Sequence, residues 1–400
     1  MQTDLSSSRP GVLARLVLAG DTPRSRPLAA VLALVLACLA GAPFLFPGTV
    51  AYRAASTICI FVLLAASYDM LLGYTAIVSF AHTMFYGIGA YAVGITLQYL
   101  PPSWDSVLLG VAAGLVLSLA LALVIGLLSL RVRTIFFAMV TLAVASAFAT
   151  LVSKLYHITG GEDGLNVMVP ALVSPATHLL HHDLRGFDIL GWLGTVVGHP
   201  GAPAAAARAA VFRVRASGAL LMYYLLFASS LALFLIMLRL VNSPFGRVLQ
   251  AVRENEFRAQ ALGYRTVLYR TTVTCMGALV ASLAGSLLTL SLQYIDPGTT
   301  LSFGLMIDIL VMTVIGGMGT LYGAVVGATI FVIAQNYLRA GLSLVAATPV
   351  GHVPLLGSLV APDRWMLWLG LLFVLSVYFF PQGIVGQLRL WARGRRPGAG

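Results

Sequence analysis

The residues best suited to chemistry in this chain are crowded into one polar stretch between two apolar ones. Between Ser243 and Arg270 lie Arg247, Arg253, Arg258, Arg265, Arg270, Glu254 and Glu256, although only 9% of the whole chain is charged. Their pattern suits docking more than catalysis. Ser243 is a good N-cap, Pro244 suits the first helical position and Gly263 suits the C′ position. The spacing predicts one charged helix of about five turns, interrupted only by Gly246. Glu254 and Arg258 fall at i, i+4 in the favourable order. Val248, Val252, Ala259 and Leu262 supply an apolar side. Such a helix can rest on a membrane domain and offer Arg247, Arg253, Glu254 and Glu256 to a partner, or it can be a solvated loop.

Other polar groups are sparser. Ser79 and His82 lie in a break between apolar segments, where polar side chains line a path or hydrogen-bond between helices. Asp308 lies within an apolar run, where a carboxylate is costly and marks function by default, unless it meets water near the outer end. Asp69 poses the same choice near the inner end of its segment. His178, His181, His182 and Asp183 have metal-like spacing, but a polar loop that happens to contain His accounts for them, and no metal site is expected. Gly317-x-Gly319 follows no strand, so it reads as a break between helices, not a dinucleotide loop. Neither HExxH, GxSxG, a P-loop nor paired catalytic carboxylates occur. The chain is therefore expected to have no catalytic residues and no cofactor, and it cannot hydrolyse ATP alone.

The elements that must position these residues are membrane helices. Of 400 residues, 59% are hydrophobic, and the mean hydropathy is +0.94. A soluble protein of this size would expose too much apolar surface. The expected fold is an all-α polytopic membrane protein of about ten transmembrane helices. Its apolar runs are 28–46, 55–72, 83–100, 106–130, 134–156, 218–240, 271–293, 303–316, 321–338 and 365–380. The first follows Arg24 and Arg26 but is longer than a signal-peptide core, so it reads as a retained helix. Cys38, Cys59 and Cys275 sit within apolar runs as packing residues.

Arginine flanks these runs asymmetrically. The loop 239–270 holds six Arg against two Glu, and further clusters stand at Arg131/Arg133, near the N-terminus and at 389–396. This predicts both termini in the cytoplasm. The net charge of +11 thus reflects membrane insertion, and no nucleic-acid partner is expected. The domain reading is a cytoplasmic segment 1–27, a transmembrane domain 28–386 and a basic tail 387–400. Within the domain, 157–217 is an external insertion and 243–263 a cytoplasmic loop.

Gly246-Arg247, Ala251-Val-Arg253-Glu254-Asn255-Glu256 and Ala259-x-Ala261-Leu262-Gly263 resemble the coupling loop of ABC-importer permeases. More narrowly, they resemble the M-type permeases of leucine/isoleucine/valine importers. Three other stretches are similar to the same family in order and spacing: Leu72 to Tyr91, Thr159 to Leu165, and Ile315 to Gly323 with Pro381 to Gly386. The resemblance implies ATPase-coupling roles for Gly246, Arg247, Arg253, Glu254, Asn255, Glu256, Arg258 and Gly263, with Glu256 as the central docking contact. It implies a second related permease, giving a heterodimer, two cytoplasmic ATPases, an external solute-binding protein and a bacterial cytoplasmic membrane. Ser79, His82 and Asp308 are candidates for the translocation path. The substrate would be a branched-chain amino acid, urea, an amide or a small carboxylate. The family often has Gly where Ala76 and Ala81 stand, and Gln at the position of Ile77; these departures bear on the substrate. An ion- or proton-coupled secondary transporter is the alternative from another class. A membrane-embedded enzyme is disfavoured by the lack of a convergent catalytic set.

Overall fold

A computed structural model describes residues 26–46, 49–128, 134–175, 177, 184–188, 211–214, 217–346, 364–380 and 383–394. The His178–Asp183 cluster and Arg131/Arg133 lie outside these residues, as do 1–25 and 395–400. The long helices are α1 (Arg26–Leu45), α2 (Thr49–Thr75), α3 (His82–Tyr99), α4 (Trp104–Leu128), α5 (Thr134–Lys154) and α6 (Gly218–Val241). They continue with α7 (Pro244–Glu254), α8 (Glu256–Ala261), α9 (Thr266–Leu292), α10 (Phe303–Gly316), α11 (Leu321–Ala346), α12 (Trp365–Phe379) and α13 (Gly383–Gly394). Among the described residues, eight helical segments are long and apolar enough to cross a membrane. The other two expected runs form α3 and the shorter α12.

Helices α2, α3 and α9 form the core. The spans of α2 and α9 are 83% and 78% buried within the protein, whereas those of α1, α4, α5 and α6 are 22–28% buried. The outer helices can therefore be apolar all round, while α2, α3 and α9 must satisfy each other's polar groups. They do so by close approach. A Cβ on Gly89 of α3 would collide with the Ser282 carbonyl of α9, and one on Gly285 of α9 with the Tyr86 carbonyl of α3. The reciprocal contact of bare backbones lets Ser286 Oγ donate to the Gly89 carbonyl (3.2 Å) and Thr289 Oγ1 to that of Ala90 (3.0 Å). Small residues thus supply the attraction between helices that lipid withholds from Leu.

Between α2 and α3 the chain turns back inside the bundle. His82 opens α3 beside Ser67, eight residues before the end of α2, which is roughly 12 Å of helix. In the irregular segment 76–81, Ile77, Ser79 and Ala81 are buried while Ala76 is exposed, and the backbone finds partners. Ala76 N–H donates to Leu72 O (3.1 Å), Phe80 N–H to Thr141 Oγ1 of α5 (3.1 Å) and Ala81 N–H to Ser79 Oγ (3.4 Å). Ala76 occupies the left-handed region at φ 55°, at the position where the family resemblance expects Gly.

At the opposite end, β1 (Leu165–Asn166) pairs antiparallel with a strand at Tyr294–Ile295. The Gly-rich motif before β1 turns through Gly160, Gly161 and Gly164, all at positive φ. A Cβ on Gly164 would strike the Ile295 carbonyl. In the insertion, β2 (Leu184–Phe187) pairs with β3 (Val211–Val214), so its described parts form a short hairpin ladder where an irregular loop was expected.

Three outcomes are expected. Gly285→Val, which forces a side chain into backbone, should cost about 3 kcal/mol or more of stability. Gly341→Ala, where no atom lies within 4 Å, should be nearly silent. Thermal unfolding in detergent checks both. Ala76→Gly should stabilise by about 1 kcal/mol, since it relieves a left-handed alanine.

Candidate coupling site

The polar stretch 243–263 caps one end of the bundle as two helices, not the single helix expected. Ser243 is extended before Pro244, as an N-cap should be, but its hydroxyl donates back to Leu240 O (2.6 Å) and caps nothing. Gly246 abuts the Val241 carbonyl at the end of α6, and a Cβ there would collide with it. This close seat turns α7 sharply under the bundle. Gly246, Leu249 and Val252 face inward, and Phe245 stacks on Tyr269 of α9 at 5.5 Å.

Asn255 ends α7 at φ −158°, ψ 100° and begins α8, its side chain accepting from Arg258 N–H at 2.9 Å. Asparagine competes well for backbone donors, so it starts a new helix where a long-chain residue would have continued the old one. The break changes the helical phase. Val252 and Ala259 are buried and Val248 is half-buried, but Leu262 is 73% exposed. Leu249, fully buried, takes the anchoring role that the one-helix reading assigned elsewhere. The break also separates Glu254 from Arg258: among the described residues no ion pair joins them. Instead Glu256 pairs with Arg270 of α9 at 2.9 Å. A half-exposed pair of this kind contributes little stability, but it fixes the bearing of α8. Gly263 sits at φ 90°, with Gly263 N–H to Gln260 O (2.9 Å) and Tyr264 N–H to Ala259 O (3.1 Å). These two bonds form a Schellman closure.

Beside Asn255, Phe257 is 85% exposed. Sequence reading passed it over, because a lone aromatic in a charged run has no partner signal. Arg247, Glu254 and Arg258 are exposed around it.

Arg253 reaches the other way. Its guanidinium donates to the Gly73 carbonyl near the end of α2 and lies against Gly319. One turn deeper in α2, the fully buried Asp69 accepts the Gly319 N–H through Oδ1 at 2.8 Å. Gly317 and Gly319 have φ values of 113° and 80°, and Gly383, at the start of α13, packs on Gly317 so closely that a Cβ would collide. Three of the motif stretches in the sequence, about residues 73, 253 and 319, therefore meet at one point, joined by the start of α13. Asp69 and Gly319 stand 250 positions apart, so nothing in a single sequence pairs them.

The other candidates are dispersed. Ser79 and His82 are buried in the α2/α3/α9 core. Ser67 Oγ lies within hydrogen-bond distance of both Leu64 O (2.9 Å) and His82 Nε2 (2.8 Å). Tyr68 lies edge-on to the ring at 5.4 Å. His82 thus joins two helices. Asp308 lies apart, half-buried on α10. Among the described residues no group of His, Cys, Asp and Glu could hold a metal ion.

Residues 50–377 match the family described as "Branched-chain amino acid transport system / permease component". The chain is similar to the high-affinity branched-chain amino acid transport system permease protein LivM of Salmonella typhimurium. The two are 25% identical over 333 residues, covering 82% of this chain and 68% of the relative. LivM of Escherichia coli is 25% identical over 332 residues, with the same coverage. The probable LivM of Methanocaldococcus jannaschii is 28% identical over 152 residues, 37% of this chain and 41% of the relative. No solved structure matches. With a family match across most of its length and a bundle of membrane-crossing helices, this chain belongs to the branched-chain amino acid transport permease family.

Proposed function

We propose that the chain is the membrane-spanning subunit of an ATP-driven importer and that α7 and α8 take up the motion of a cytoplasmic ATPase. The observation that carries this reading is the junction of Arg253, Gly73, Asp69 and Gly319. It ties an exposed, polar helix pair to the core helix α2 and, through residues 317–319, to α10, α11 and α13. A solvated loop would need no such tie. The Arg-rich flanks of 239–270 favour the cytoplasmic side for this end.

In this reading α8 is the docking face. The exposed Phe257 enters an apolar pocket on the ATPase, and Arg247, Glu254 and Arg258 form the polar rim. Glu256, expected to be the central contact, instead sets the tilt of α8 through Arg270. ATPase closure displaces α7, Arg253 draws on the end of α2, and Asp69 passes the displacement to the 317–319 break. Nucleotide biases a two-state equilibrium between outward and inward access. Substrates are branched-chain amino acids, delivered by an external solute-binding protein, with a second related permease forming the other wall of the path.

Two expectations follow from the tie and the docking face. Arg253→Ala and Asp69→Asn should leave ATPase recruitment intact and lower uptake about tenfold, the loss of one charge-assisted hydrogen bond. Uptake measured beside vanadate-sensitive ATPase activity separates the two steps. Phe257→Ala should weaken ATPase recruitment about tenfold or more, as for removal of a buried aromatic anchor. Failure to recruit any ATPase, with uptake that follows a proton gradient, would overturn the importer reading in favour of secondary transport.

A further inference from the structure

Two carboxylates lie well inside apolar helices among the described residues, Asp69 and Asp308. Asp69 is held through Oδ1 by the Gly319 N–H, although its Oδ2 has no hydrogen-bond partner among the described residues. Asp308 is not: among the described residues it has neither a hydrogen-bond nor an ion-pair partner. It is the twelfth residue of the 20-residue candidate span Pro297–Gly316 and the sixth of α10. It is also half-buried and turned outward from the bundle.

The outward face has a definite shape. Phe303, Gly304 and Ile307 are exposed beside Asp308, in the i, i+1, i+4, i+5 pattern of one helix face. At the next turn Val311 is buried, so the open strip ends there. Gly304, one turn from Asp308, has open space where its side chain would be: the nearest atom to a Cβ there is Ser302 Oγ, at 3.8 Å. A notch floored by bare helix therefore lies beside the carboxylate. At its rim, Phe303 packs on Phe80 of the irregular segment 76–81, with ring centroids 6.0 Å apart. An unpaired carboxylate facing hydrocarbon within a membrane span is strongly disfavoured, and such groups face a bundle interior or a water-filled cavity.

We propose that Asp308 is a selectivity site on the translocation path, where its carboxylate receives the ammonium group of an amino acid passing between this chain and the second permease. This rests on the importer reading and narrows its substrate class. Urea, neutral amides and small carboxylates carry no ammonium group to meet it, and a carboxylate would be repelled.

The test uses the complete transporter in proteoliposomes, with radiolabelled leucine as the probe. Asp308→Asn should lower leucine uptake about tenfold, the scale of a lost charge-assisted contact, while Asp308→Glu retains most of it. Recovery of the complex with its ATPase should not change. Asp308→Cys supplies a readout independent of turnover. A membrane-impermeant charged thiol reagent should label it, with the unmodified chain and its three cysteines as the blank, and leucine with the binding protein should slow labelling. Wild-type uptake by Asp308→Asn would overturn the proposal. So would an unlabelled Asp308→Cys, which would mean a lipid-facing or partner-paired position, or labelling indifferent to leucine. ATP-driven uptake of urea but not leucine by the wild type would sink the ammonium site and leave the importer reading standing. A chain that recruits no ATPase would remove the importer reading itself.

Discussion

A carboxylate with no access to water has to be given partners, and the fully buried Asp69 imposes that demand on everything near it. Backbone meets it in part: Oδ1 accepts the Gly319 N–H, while Oδ2 has no hydrogen-bond partner among the described residues. Gly319 must present its N–H, so the chain between α10 and α11 must turn tightly through Gly317 and Gly319 at positive φ. Arg253 binds the Gly73 carbonyl one turn away, so α7 runs beneath the end of α2. Gly246 against Val241 makes that course possible, and Gly383 against Gly317 seals the other flank. The glycines at this end are thus consequences of one buried charge. If Asp69 were apolar, none of these approaches would be needed, and α7 could float as a solvated loop.

The same economy of space governs the core. In water, helices associate by burying apolar faces, but lipid is as apolar as leucine and offers no such drive. The chain compensates with backbone contact, Gly89 on Ser282 and Gly285 on Tyr86, and with hydroxyls of Ser286 and Thr289 that reach across α3 and α9. This pairing holds α3 rigidly against the core even though its first residue, His82, starts within the membrane. A rigid α3 in turn holds the irregular segment 76–81 in place, with Phe80 against α5 and Phe303.

What the sequence could disclose was set by range. Apolar runs are local, and each of the ten expected corresponds to a helix, because hydropathy over twenty residues already fixes the only backbone that lipid tolerates. Gly263 was legible as a helix end for the same reason: the Schellman closure involves only neighbours. The break at Asn255 was less so. Its residues would continue a helix on propensity alone, and the choice is made by a side-chain cap plus the pull of Arg270 on Glu256, fourteen positions away. Asp69 and the Gly317/Gly319 turn were both conspicuous, yet their pairing over 250 positions has no local signal at all. Phe257 was illegible for a different reason, since its meaning lies in its exposure, with no ring partner among the described residues.

The split at Asn255 also explains how one short loop can meet opposed requirements. A docking element must match its partner's surface, which favours an exposed, adjustable face. A transmitting element must not yield under load, which favours burial and fixed hydrogen bonds. A single continuous helix would serve both poorly, because the residues turned to the partner and those turned to the bundle would share one rigid phase. Breaking it lets α7 bury Gly246, Leu249 and Val252 and commit Arg253 inward, while α8 turns Phe257 and Leu262 outward. The Glu256–Arg270 pair then supplies a weak restraint, strong enough to set the bearing of α8 and modest enough for a partner to adjust. The stiffness of the loop is thus graded along its length, lowest at the proposed docking face and highest where Arg253 meets α2.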